Sequence, residues 1–285
     1  MLIAPVLGML LASCSQAPLP GVSGRTGAEA GGGQPSIVSL NPCTDAILAE
    51  VTVPGQLLAI SHYSQDPASS SMDPGLARRF QATSGAVEEV AALAPDVVVA
   101  GSFLPPATQQ ALRDLGMRVV TFPIPANVPA AEQQVRDLAA LAGNAPAGNA
   151  LVQRIETALA QSAPPAGAAP LPALMWESGG IVAGNDTLIA DLLGRSGFSN
   201  GVAARGLSQA DYLPLERVLA NPPKVIFAVG NARSNQDHML YHPALDALKG
   251  TARVPFDNGL LWCGGPTIPR ALARLTHVRR AVAGS

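Results

Sequence analysis

Few side chains in this chain could do chemistry, and most possibilities close quickly. Its histidines are His62, His238, His242 and His277, and its cysteines are Cys14, Cys43 and Cys263. A bare transition metal needs at least three such donors gathered in one place. His238 and His242 have i, i+4 spacing, but Tyr241 and Pro243 beside the second speak against a shared helix face, so no resident metal or other cofactor is expected. Ser39, Ser61 and Ser102 fall where strands should end, yet none has glycine on both sides as a nucleophile elbow requires. No carboxylate pair or His–Asp spacing singles itself out, and the chain does not read as an enzyme. Recognition is what remains. Aromatic residues are only 4% of the chain, yet Tyr63, Phe103, Trp176 and Trp262 all fall near expected strand ends, where their faces suit a large planar or catecholic ligand. The alternative for either Trp is a cap residue packed under a loop. His62, Arg233 and Asn235 are the polar candidates, Arg233 as a charge-assisted donor to an anion.

A second pattern is a duplication. The stretch from Glu88 to Gly101 (EEVAALAPDVVVAG) returns in outline from Glu216 to Gly230 (ERVLANPPKVIFAVG). In each copy an acid opens a short helix, a proline ends it, and a β-branched run follows that reads as a buried parallel strand. Two such copies imply two similar lobes, each with one exposed acid, Glu88 or Glu216, at an equivalent place. That symmetry suits a partner that is itself two-fold symmetric.

The elements that must position these residues alternate between strand and helix. Strands are expected at 36–40, 57–61, 97–100 and 118–122, with helices after Asn41 and at 106–115, which is the signature of an α/β fold with a parallel sheet. Segments 130–142 and 146–162 are helical in pattern. The second, with Leu151, Ile155 and Leu159 on one face, reads as a long helix joining a first lobe at 36–145 to a second at 163–285. The alternation resumes at 173–176, continues through a helix at 187–193 and a strand at 225–229, and closes with a helix at 269–282.

In open parallel sheets, ligands collect beyond the C-terminal strand ends, and two facing lobes would make those edges one cleft. The loops that reach it are 41–45, 62–66 and 102–105 from the first lobe, and 176–181, 231–235 and 262–266 from the second. Asn41 and Cys43 thereby join the candidate ligand contacts. Cys43 and Cys263 fall on opposite lobes facing the same cleft. A bond between them would need Cα atoms within about 7 Å and would shut the site, so two free thiols are the favoured reading, with soft-metal ligation as the lesser one.

Only 13% of the residues are charged and the net charge is −2, with no Lys/Arg block, which argues against nucleic acid. Arg270, Arg274, Arg279 and Arg280 read as one solvated helix face. At the N-terminus, residues 2–13 are small and apolar, too short to span a bilayer, and end in Leu11-Ala12-Ser13-Cys14. That run resembles the lipobox of bacterial lipoprotein signal peptides, which implies a signal peptide over residues 1–14 and acylation of Cys14. The basic residues that usually precede such a core are absent, which fits a start codon assigned too far downstream. Residues 15–35, rich in Pro, Gly, Ser and Ala, read as a flexible tether.

Taken in order, several pieces resemble the periplasmic-binding-protein family of ABC importers for iron chelates and cobalamin. They are Ile37 to Pro42, Glu88 to Val99, the 146–162 helix, Val182 to Gly197, Glu216 to Val229 and Trp262 to Pro266 (WCGGP). The resemblance covers almost everything after residue 35. It implies two Rossmann-like lobes bridged by one rigid helix, a ferric siderophore or corrinoid held between them, and delivery to an inner-membrane permease whose arginines receive Glu88 and Glu216. It implies a monomeric, periplasmic protein anchored through lipid. The rival expectations are an exported enzyme or scaffold on the same fold, or a free Zn/Mn binder.

Overall fold

A computed structural model describes residues 33–203, 210–230, 237–261 and 263–284. Cys14, Arg233, Asn235 and Trp262 lie outside the described residues.

The first lobe is built on a five-stranded, all-parallel sheet in the order β3-β2-β1-β4-β5, with β1 at Ile37–Ser39, β2 at Leu57–Ser61, β3 at Gln81–Thr83, β4 at Val97–Gly101 and β5 at Arg118–Phe122. Its central strands are continuous apolar runs because helices cover both faces. These are α1 (Pro42–Val51), α2 (Pro74–Ala77), α3 (Val87–Leu93) and α4 (Pro106–Asp114). Strand β3 is an addition to the expected set. It is short and mostly polar, and its place comes from pairing with β2 rather than from its own pattern.

Helices α5 (Val128–Leu141) and α6 (Ala145–Ser162) connect the lobes. Asn127 and Asn144 cap them, each side chain accepting from the third helical N–H, and both helices open with a proline near the N-terminus, where its missing N–H costs nothing. The second lobe follows: β6 (Leu171–Glu177), β7 (Ile181–Val182), α7 (Leu188–Arg195), β8 (Phe198–Asn200), β9 (Asp211–Tyr212), α8 (Leu215–Ala220), β10 (Val225–Val229), β11 (Ala252–Phe256) and the closing α9 (Thr267–Ala283). Strands β11, β10, β6 and β8 are mutually parallel, while β7 and β9 add antiparallel pieces beside the end of β6. The duplication is visible in three dimensions. The pair α3–β4 lays β4 against β1, and α8–β10 lays β10 against β6.

One hydrophobic core runs through both lobes. Ile37 and Ile47 of the first, Val135 and Leu138 of α5, Leu151 and Ile155 of α6, and Phe227 and Leu272 of the second are all fully or almost fully buried in it. Further links stitch the lobes: Asn258 Nδ2 donates to Ala68 O (2.9 Å), Arg270 Nη1 to Ser71 O (2.7 Å), and the Val128 N–H at the start of α5 to Asp191 of α7 (2.8 Å). The arginines of α9 are therefore not one solvated face. Arg279 is buried with its Nε donating to Gly197 O, and Arg274 donates to Pro255 O, because α9 lies between neighbours that offer it bare carbonyls.

Candidate functional site

The order of the first sheet reverses between β1 and β4, since one neighbour of β1 leads outward to β3 and the other to β5. A crevice forms at such a reversal, beyond the C-terminal strand ends. A cavity of about 210 Å³ opens there, lined by Asn41 and Cys43 after β1, Ser102 and Phe103 after β4, Phe122 at the end of β5 and Pro123 after it, and by Cys263 from the opposite lobe. A second cavity of about 640 Å³ shares Ile124 and Pro125 with it and continues across to the strand ends of the second lobe, at Glu177, Ser178 and Val229. The cleft lies where the alternating elements would place it.

Its lining is largely apolar, with an exposed rim. Phe103 is 82% exposed and Ile124 69% exposed, both at the mouth. Both line the smaller cavity, so its mouth is apolar as well as its wall. Asn41 lines the smaller cavity, but its Oδ1 is already engaged as the cap of α1, accepting from Cys43 N (2.9 Å) and Thr44 N (3.4 Å). It shapes the site as much as it offers itself to a ligand.

His62 and Tyr63 stand on the single 3₁₀ turn after β2, both exposed, with ring centroids 4.0 Å apart. His62 Nδ1 is 3.2 Å from Thr83 O. Neither lines the two cleft cavities.

Two expectations are overturned. Cys43 and Cys263 are not free thiols: they form a disulfide, with Cα atoms 5.0 Å apart. Nor does the bond shut the site, because both residues line the smaller cavity as part of its wall. The close approach is achieved by glycine. A Cβ on Gly265, which has φ +60, would sit 2.5 Å from Ile47 Cγ1, so only a bare backbone lets the segment before α9 settle against α1.

Trp176 does not face the cleft. It is fully buried, on the face of β6 that it shares with Leu174, among Val182, Leu213, Val218 and Ile226. Its indole N–H donates to Leu213 O (3.2 Å), so its one polar atom is satisfied inside the lobe.

The residue that does reach the cleft is the next one. Glu177 ends β6, opposite Val229, and the chain then turns through Gly179 and Gly180, both at positive φ, into β7. Burial in the apolar wall pushes its carboxyl up to about 6. In the sequence its signal was a lone acid between an apolar strand and a Gly-Gly turn.

A second acid lies within the first lobe. Asp45, in the first turn of α1, is fully buried; its Oδ2 accepts from Ser61 N (2.9 Å) and Ser64 Oγ (2.6 Å), while Oδ1 has no partner among the described residues. Desolvation pushes it up to about 8, against the opposing pull of those hydrogen bonds. Through those bonds it braces the loop after β2 against α1.

The remaining candidates separate cleanly. Among the described residues no three His, Cys, Asp or Glu side chains gather as a metal site. His242 is not part of a helix face with His238; its Nδ1 accepts from Ala244 N (3.1 Å), capping the turn Pro243–Ala247. Glu88 and Glu216 are both exposed, far along the chain from each other yet each in the first turn of its helix. The neighbouring Glu89 is already held, accepting from Thr83 Oγ1 and Ser84 N at 2.8 Å each, which draws its carboxyl below the ordinary range.

Comparison with known proteins bears on the family and the fold. A family model described as periplasmic binding protein matches residues 37–253. No curated protein matches the chain. Among solved structures, the periplasmic heme-binding protein RhuT from Roseiflexus sp. RS-1 in apo form superposes with a TM-score of 0.67 at 20% identity, covering 88% of this chain and 98% of that one. The periplasmic vitamin B12-binding protein BtuF of Vibrio cholerae gives 0.66 at 18% identity, with 88% and 98% covered. A possible iron-binding periplasmic solute-binding protein from Staphylococcus epidermidis gives 0.67 at 16%, with 88% and 99% covered. At these identities the likeness speaks for the fold.

Proposed function

Because the chain belongs to the family of periplasmic binding proteins, we propose that it is the substrate-binding component of an ABC importer, taking up a metal chelate in the interlobe cleft and handing it to a membrane permease. The observation that carries this reading is the pair of joined cavities, lined from both lobes at the strand ends, apolar inside and rimmed by Phe103 and Ile124. Such a cleft buries a large, weakly polar ligand without needing a catalytic group. A ferric siderophore or a corrinoid fits that description, and heme joins them as the ligand named for RhuT.

Delivery would use Glu88 and Glu216, one per lobe, against paired cations of a two-fold symmetric permease. The shared core limits closure to a small rotation, so recognition rests on a largely preformed site. Export and anchoring through Cys14 complete the reading, with the protein a periplasmic monomer. The test is native mass spectrometry with absorption spectroscopy after incubation with a pool of ferric siderophores, heme and cobalamin. A retained chelate with its charge-transfer, Soret or corrin bands supports the proposal; no retained ligand, or a chemically altered one, sinks it in favour of a scaffold or an enzyme.

A further inference from the structure

The larger cavity is lined by Ile124, Pro125, Ile181, Leu188 and Val229 together with neutral polar groups, and Glu177 is the one ionisable side chain among its described lining residues. That carboxylate is half-buried and has no hydrogen-bond or ion-pair partner among the described residues, unlike Glu89 and Asp191, whose carboxylates are engaged. The adjoining hollow of about 630 Å³ shares Ser178 and Asn258 and brings in Asp237, Asp257 and Arg274. Arg274 keeps its charge but is turned to Pro255 O, and it lines the adjoining hollow rather than the cavity that holds Glu177.

A half-desolvated carboxylate in an apolar wall costs free energy until something donates to it. An anion brought beside it would add repulsion at low dielectric, whereas an amide, an amine or a net positive charge would relieve the cost. We propose that Glu177 reads the charge of the ligand, and that the cleft takes an uncharged or cationic apolar chelate carrying hydrogen-bond donors in preference to a polyanionic one. This rests on the chelate-binding reading of the same cleft. It also runs against the sequence expectation that an arginine would select an anion. Within the cavity, the turn through Gly179 and Gly180 fixes the last residue of β6 in place, so the carboxylate is presented by rigid strand rather than by a loop.

The test compares three probes on one protein: a corrinoid, an uncharged ferric trihydroxamate and a trianionic ferric tris-catecholate. Titration calorimetry follows wild type, Glu177→Gln and Glu177→Ala. The wild type should bind at least one of the two non-anionic probes about tenfold or more tighter than the tris-catecholate. Both neutral variants should narrow that ratio, losing affinity for the donor-bearing probe and gaining it for the anion. Two folded variants are available because removing a desolvated charge should not cost stability. Binding with an unchanged ratio in both variants, or tighter wild-type binding of the anion, overturns the charge-reading role alone. Failure of all three probes to bind wild type overturns this inference, and the chelate reading falls with it when heme is not retained either.

Discussion

Glu88 and Glu216 occupy the same position in two different helices: each is the second residue of its helix, exposed, and each leads through a proline into a buried central strand. Glu89, next to the first, is tied down by Thr83 and Ser84, which leaves Glu88 as the member of that pair able to reach outward. Replacing Glu88 or Glu216 by Ala should leave ligand affinity intact and weaken coupling to the permease by about two- to fivefold each, with the double variant worse. Ligand titration and uptake into permease vesicles check this. Loss of ligand binding in step with uptake would place the two acids in the cleft instead.

Trp176 should behave as core. Trp176→Ala is expected to cost about 3–5 kcal/mol of stability, since it empties a fully buried site and strands Leu213 O, while the folded fraction keeps its ligand affinity. Denaturant unfolding and calorimetry on the same sample separate the two effects.

Asp45 makes stability depend on pH in a stated direction. Below its ordinary value of 3.8 the carboxyl is protonated in folded and unfolded chains alike. As pH rises from 3.8 toward about 8, the unfolded chain loses that proton and the folded one keeps it, so stability should fall, by about 1 kcal/mol per pH unit across the window. Asp45→Asn should flatten that slope and stabilise the protein most at the alkaline end. A slope identical in wild type and variant would show that the carboxyl is ionised in place.

The Cys43–Cys263 bond closes most of the chain into one loop, with a sequence separation of 220 residues. Reduction, or Cys43→Ser with Cys263→Ser, should lower stability by about 2–5 kcal/mol and speed ligand release. Stopped-flow release of a bound chelate with and without reductant measures the second effect; equal rates would mean the bond contributes to folding only.

Cys14→Ser should move the protein from the membrane fraction to the soluble periplasm, because acyl chains would be its anchor. Failure of labelled palmitate to enter the wild type would end the lipid reading.

The parallel core was legible because buried parallel strands are unbroken apolar runs, as in Val97-Val98-Val99 and Val225 to Val229. The edges were not. Strand β3 is polar and short, and β11 carries Pro255, tolerable at an edge where no ladder bond is lost, so both take their place from a neighbour. Within the site, sequence position could say that Trp176 and Glu177 end a strand, but which one turns inward depends on the face that Leu174 and Trp176 share, and that face is set by packing. The disulfide was set aside for a different reason, that it would shut the site; Cys43 and Cys263 instead form part of the cavity wall, where Gly265 packs close to Ile47 of α1.

Helix α6, packed against α5 on one side and α9 on the other, fastens the lobes at one place, and the cystine fastens them at another. A shared core and the Asn258–Ala68 and Arg270–Ser71 bonds add further ties between the same two bodies. So many fastenings leave the aperture little room to change, and a distance between a label on each lobe should shift only slightly on loading. Chemical reduction would then remove one tie among several rather than free the lobes.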